Sequence, residues 1–322
     1  MAALGLGRCA DALTGKSWRV RANAERRGEL ERKREAAMAG GSIREYRRNP
    51  RFCVIITSFN QKWNVPNIVE RLAANPYVSE VVVCEDGSID GSLDEYVATL
   101  QAPNHFVQRS NDLHEIRAID RAVRTTRAEI VCIIQDDDVV PADHLWVKEA
   151  LDEFARYPRL GVYGAFAAYM SPPKDSGDPK KPDFSFKDSI LHKRVPFRFV
   201  ASVNVGPYFM RTACYSQMGG FDLCFSKPGQ AGVGFDEEFG FRCWLNGWQC
   251  GYMHQPFKTG VEGEYNLGAG GTFTYGAADE RLSHDRENKI LMINALGQYH
   301  DKIVDAVRRS NAAAGISDVA AS

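Results

Sequence analysis

Three short runs, Phe52–Thr57, Val81–Cys84 and Ile130–Ile134, constrain the fold of this 322-residue chain more than any other feature. Each is continuously apolar and rich in β-branched residues rather than alternating, the pattern of a strand covered on both faces of a parallel sheet. Helical periodicity fills the gaps. Val65, Ile68, Val69 and Leu72 recur behind Pro66, which suits a first turn, and Ile116, Ile119, Ala122 and Val123 share one face between Glu115 and Thr126. Strand, helix, strand, helix, strand predicts an α/β fold: a mostly parallel central sheet flanked by helices on right-handed crossovers.

Further along, a helix is expected over 142–157 and a strand over 160–170. A proline-rich exposed loop follows at 171–185, then an apolar patch at 197–210. A helix over 235–245 ends near Gly247, residues 260–276 are glycine-rich, and an amphipathic helix from 278 to 308 breaks near Gly297.

The 40 basic and 41 acidic residues are unevenly spread. Residues 1–51 hold 13 basic and 6 acidic side chains, against 27 and 35 in the remainder, so a basic arm precedes an acidic body. The arm reads as a solvated helix or tail, or as a surface for an anionic partner, with no specific nucleic acid implied. Glu25, Glu29, Glu31 and Glu35 argue against a transit peptide, and Arg8 interrupts any signal-peptide core. The longest apolar runs fall far short of the roughly twenty residues a bilayer span needs. A cytoplasmic location is expected, with peripheral membrane association as the variant. Cys53, Cys84 and Cys132 sit inside the apolar runs, where reduced, buried thiols fit.

Ligands of parallel α/β sheets bind beyond the carboxyl ends of the strands. Those ends carry Thr57-Ser58-Phe59-Asn60, Glu85-Asp86-Gly87-Ser88 and Gln135-Asp136-Asp137-Asp138. Three consecutive carboxylates repel unless a cation shares them, and an all-oxygen donor set selects Mg²⁺ or Mn²⁺. A solvated turn, or the N-cap of the helix that follows, is the plainer reading of the same triplet.

The ordered segments from Phe52 to Asn60, Val83 to Ser92 and Gln135 to Asp138, with Gly219-Gly220-Phe221-Asp222, resemble the signatures of family-2 glycosyltransferases of the GT-A fold. The resemblance spans about residues 51–255. It implies a Rossmann-like single catalytic domain over 51–309, with a nucleotide-binding half (51–140), an acceptor half (141–277) and a C-terminal helix (278–309). The basic arm (1–50) and a flexible tail (310–322) flank it.

The resemblance further implies an inverting transfer from a nucleotide diphosphate sugar, usually a uridine diphosphate (UDP) sugar, to a glycan, lipid or protein hydroxyl. Thr57, Ser58, Phe59 and Asp86 match the nucleotide-holding positions and Arg117 the diphosphate position; Asp136 is a further donor-binding candidate, and which carboxylate of the triplet touches metal and which ribose stays open. Asp137 and Asp138, with His254, match the metal shell, Mn²⁺ or Mg²⁺ being the cofactor. Gln135 stands where the family's Asp-X-Asp motif begins; reading the motif instead as Asp136-Asp137-Asp138 leaves it intact. Asp236 falls on the general base, with Glu237 as the other catalytic candidate and Phe235 where the family has an acid. Glu237 and Glu238 are expected to raise the Asp236 pKa.

Trp244 and Trp248 are spaced to stack on sugar rings or to fill core, and the glycine-rich 260–276 segment suits a lid. Rival readings are a non-catalytic nucleotide- or glycan-binding subunit, kept open by Gln135 and Phe235, and a nucleotidyltransferase. The latter is disfavoured because no glycine-rich basic loop follows the first strand.

Overall fold

The computed structural model describes residues 51–111, 113–172, 189–191, 195–226, 232–261, 264–265 and 278–316. The basic arm, most of the 171–185 and 260–276 segments, and the last six residues of the tail lie outside this set.

The three apolar runs form β1 (Phe52–Ser58), β2 (Glu80–Glu85) and β4 (Ile130–Gln135), almost wholly buried. They pair in parallel with β1 in the middle, and β3 (His105–Arg109) joins β2 at the edge. Beyond β4 come β11 (Tyr208–Arg211), β6 (Leu160–Gly164), β12 (Gln249–Tyr252) and β9 (Arg198–Val200), giving the order β3-β2-β1-β4-β11-β6-β12-β9. Six strands point one way; β11 and β9 run against them. Two small sheets flank this one: β10 (Ser202–Val203), β7 (Ala167–Tyr169) and β8 (Ser189–Leu191), then β14 (Glu264–Tyr265), β13 (Lys258–Val261) and β5 (Asp138–Val139). The expected strand over 160–170 is therefore two strands, in different sheets.

Helices α1 (Val65–Ala73), α2 (Ser92–Thr99), α3 (Glu115–Thr125) and α4 (Leu145–Arg156) connect the strands of the first half. On α3, Ile116, Ile119, Ala122 and Val123 are buried, as their spacing predicts. Each buried isoleucine contributes roughly 1.5–3 kcal/mol relative to exposure. Trp146 of α4 anchors the sheet, edge-on to Phe52 at 6.3 Å and close to Phe209 at 5.9 Å.

The second half adds α5 (Thr212–Met218), α6 (Phe235–Leu245), α7 (Ala278–Leu296) and α8 (His300–Ala313). The break expected near Gly297 is a single 3₁₀ turn, Gly297–Tyr299, and α8 runs four residues past 309. The exposed edge of β9 is covered by Asn311 of α8: its amide donates to the Phe199 carbonyl (2.9 Å) and accepts from the Phe199 N–H (2.8 Å). Seven cysteines are described, none bridged and all but Cys224 buried. Among the described residues no helix is long and apolar enough to cross a membrane.

Candidate active site

The carboxyl tips of β1, β2 and β4 are tied together by backbone. The Asp86 N–H donates to the Ser58 carbonyl and the Asp136 N–H to the Thr57 carbonyl, both at 3.0 Å. The Phe59 N–H then donates to Asp136 Oδ2 at 2.5 Å, and Phe59 as a residue is 45% exposed. A buried residue that sequence reasoning missed, Asn64, finishes the clamp: its amide donates to the carbonyls of both Asp136 and Asp138 at 2.8 Å. Asn64 precedes α1, yet its side chain spans more than 70 residues of sequence instead of capping the helix.

The aspartate triplet is not a solvated turn. Asp137 and Asp138 are 4% and 1% exposed. Burial, and then the Asp137 charge, push the carboxyls of Asp136 and Asp138 well above the usual range; Glu115 adds to the effect on Asp138. Asp138 Oδ2 accepts the Gln135 N–H (2.8 Å), while its Oδ1 is buried with no hydrogen-bond partner. An orphaned carboxyl oxygen among buried acids fits a divalent cation, the group the all-oxygen donor set selects. Gln135 is held by Glu115, whose Oε1 accepts from its amide at 3.1 Å.

Asp236, in the first turn of α6, lies one residue away through the 205–206 backbone. The Val205 N–H donates to Asp236 Oδ2 (2.9 Å) and the Glu237 N–H to its Oδ1 (3.1 Å). The next residue, Gly206, packs on the triplet: a β-carbon there would lie 3.0 Å from Asp138 Oδ2 and 3.2 Å from Gln135 Oε1. Its φ of +91° is one that side-chain-bearing residues avoid. Gly206→Ala should therefore cost about 1–3 kcal/mol, read as a lower denaturant midpoint; an unchanged midpoint would refute this packing. Asp138, just past β4, and Asp236 of α6 thus approach the two sides of one dipeptide.

Glu238 forms a forked pair with Arg242, Nε–Oε1 and Nη2–Oε2 both 2.7 Å. Arg242 in turn donates to the carbonyls of Met218 and Gly220, fixing the Gly219–Gly220 turn. Burial raises both acids: Glu238 against the opposing Arg242, and Glu237 up to about 8, by burial first and by the Asp236 charge second, against the opposing Lys289 of α7. Asp285, paired to Lys289 at 2.6 Å, and Tyr169 complete its surroundings.

The pH dependence follows. Between about pH 5 and 8 the folded protein retains a proton on Glu237 that the unfolded chain has released, so this residue's contribution weakens as pH rises, by at most about 1.4 kcal/mol per unit. Glu237→Gln removes the loss, so its thermal midpoint relative to wild type should climb from pH 5 to pH 8.5. Parallel curves would contradict the burial.

Asp86 is engaged: its two oxygens accept from Ser110 Oγ (2.8 Å) and the N–H groups of Leu113 (2.8 Å) and His114 (2.7 Å). It shapes the turn into α3 and keeps limited room for a further donor. Arg117 donates through Nη2 to the Ser226 carbonyl (3.1 Å), and its buried Nε has no partner. Phe235 is 3% exposed and edge-on to Phe221 at 4.9 Å, so the position where an acid was expected belongs to the core. His254 follows the carboxyl end of β12, on the same edge of the sheet. Among the described residues no three His, Cys, Asp or Glu side chains, the aspartate triplet and His254 included, stand together as a metal-holding group.

Residues 53–212 match glycosyl transferase family 2. The chain belongs to that family. No curated protein matches this family-2 chain. Among solved structures, S. aureus TarS is 18% identical with a TM-score of 0.44, covering 64% of this chain and 35% of its own. TarS 1–349 in complex with UDP-GlcNAc is 19% identical (TM-score 0.43; 64% and 56%). The mannosyltransferase PcManGT from Pyrobaculum calidifontis, in complex with GDP-Man and Mn²⁺, is 14% identical (TM-score 0.49; 84% and 77%). The family-2 chain thus spans about a third of the length of TarS and somewhat over half of its 1–349 fragment.

Proposed function

We propose that this chain is an inverting glycosyltransferase that moves a sugar from a nucleotide diphosphate donor, UDP-linked in the first instance, to an acceptor hydroxyl. The observation that carries this reading is the approach of Asp138, the last of the three aspartates, and of Asp236 to the two sides of Val205–Gly206, at the carboxyl edge of the sheet.

Thr57, Ser58 and Phe59 line the nucleotide side, the Phe59 ring offering a face for the base and Asp86 a remaining lone pair. Asp136 approaches the ribose. Arg117, with its unpartnered Nε, answers the diphosphate charge. Asp137 and Asp138 would hold Mn²⁺ or Mg²⁺. When bound, such a cation supplies Lewis-acid neutralisation of the departing diphosphate.

Asp236 takes the proton of the acceptor hydroxyl as its oxygen bonds to the anomeric carbon and the carbon–oxygen bond to the diphosphate breaks with its electron pair. Two backbone N–H groups keep that carboxylate aimed. One displacement inverts the anomeric centre.

A panel of sugar nucleotides assayed for nucleotide release with Mn²⁺ or Mg²⁺ tests the reading. Release from at least one donor, accelerated by acceptor, is expected. Tight binding without release on every donor would replace the enzyme by a binding subunit.

A further inference from the structure

The tryptophan pair is not at the transfer site. A cavity of about 690 Å³ opens where the chain enters β6 and β12, at the amino edge of the sheet and so opposite the aspartates. That volume is within the usual range for small-ligand sites. Its walls include Tyr157, Phe199, Trp244 and Trp248, and its rim carries Arg159 and Arg309.

Both indole N–H groups are spent inside the protein, Trp244 on the Val200 carbonyl (3.0 Å) and Trp248 on Gln217 Oε1 (2.8 Å). Tyr157 is stacked on Phe197 at 4.9 Å, which fixes its ring. The indoles therefore offer rigid apolar surface rather than hydrogen bonds, and the charged groups in the lining are the two exposed guanidiniums. None of the residues lining the cavity is acidic, although residues 52–322 carry 27 basic against 35 acidic side chains. A positive, aromatic recess on an acidic body selects a ligand with flat C–H faces and a negative charge.

We propose that this cavity is a second saccharide site, which takes an anionic sugar unit of a glycan while transfer proceeds at the opposite edge. The choice of a saccharide over other ringed anions rests on the glycosyltransferase reading; the aromatic and cationic character does not. The sugar ring lies against Trp248 and Tyr157, and its carboxylate or phosphate meets Arg159 and Arg309. A polymer held there stays on the enzyme between transfers.

The test is calorimetric titration of the full chain with tetragalacturonate, a phosphate-bearing mannopentaose, maltotetraose and uridine monophosphate, with tryptophan fluorescence followed in parallel. At least one of the two anionic saccharides should bind and perturb the fluorescence, the two arms distinguishing carboxylate from phosphate. Maltotetraose should bind at least tenfold more weakly. Arg159→Gln combined with Arg309→Gln, both on the exposed rim, should weaken the anionic saccharide tenfold or more, and so should Trp248→Ala. Nucleotide release from the donor should stay within twofold in the rim variant.

Equal binding of neutral and anionic probes, binding that the rim variant does not alter, tighter binding of uridine monophosphate at this cavity, or no saccharide binding would each overturn the proposal. Asp137→Asn should leave saccharide titration unchanged. Saccharide binding without turnover on any donor would therefore sink the transferase reading while the cavity's affinity for an anionic ring stood.

Discussion

Asp236→Asn should reduce turnover by about a thousandfold and leave donor affinity within about threefold. The amide is isosteric and still accepts the Val205 N–H through its oxygen, so the 205–206 backbone keeps its place, while its NH2 group gives up the Glu237 N–H. What is lost is the proton acceptor, a contribution worth roughly 10²–10⁴ in rate. Steady-state kinetics with saturating donor, beside donor titration of the inactive variant, separate the two effects. Loss of donor binding in step with turnover would move Asp236 from the chemistry to the donor site.

Asp137→Asn should act on the other side of the dipeptide. Its charge is the largest electrostatic influence on both Asp136 and Asp138, so the three carboxyls behave as one unit. Removing the middle charge relaxes the repulsion and lowers the attraction for a cation at once. Mn²⁺ affinity of the protein without donor, followed by electron paramagnetic resonance, should drop at least tenfold, and metal-dependent donor binding should drop with it. Thermal stability without metal should hold or rise, because a buried repulsion is gone. Unchanged Mn²⁺ affinity would remove the triplet from the metal-binding role.

The strands covered on both faces were legible because burial leaves no room for polar residues, as in Val54 to Ile56 and Val131 to Ile134. β3 escaped notice because it is a half-exposed edge strand carrying His105, Gln108 and Arg109, and α2 because it buries only Ser92 and Tyr96. The polar strand tips could be read from the order of elements, since a parallel sheet gathers its carboxyl ends.

Asn64 and the Val205–Gly206 contact could not be read in this way. Asn64 reaches its partners across more than 70 residues, and no local pattern announces that. The acid cluster on α6 was legible as composition but not as roles. Arg242, four residues on, claims Glu238, while Tyr169 and Lys289 come from elements far away in sequence and settle the environment of Glu237. Phe235 read as a missing acid only until its packing on Phe221 was seen.

The Asn311 amide does for β9 what a ninth strand would do, occupying both backbone groups of Phe199. One outer border of the sheet is thereby sealed with a single side chain, and a second copy cannot zip onto it. The opposite border is β3, where the charged and half-exposed Arg109 discourages such templating. Enlargement of the eight-stranded sheet by strand addition is closed on one flank and deterred on the other.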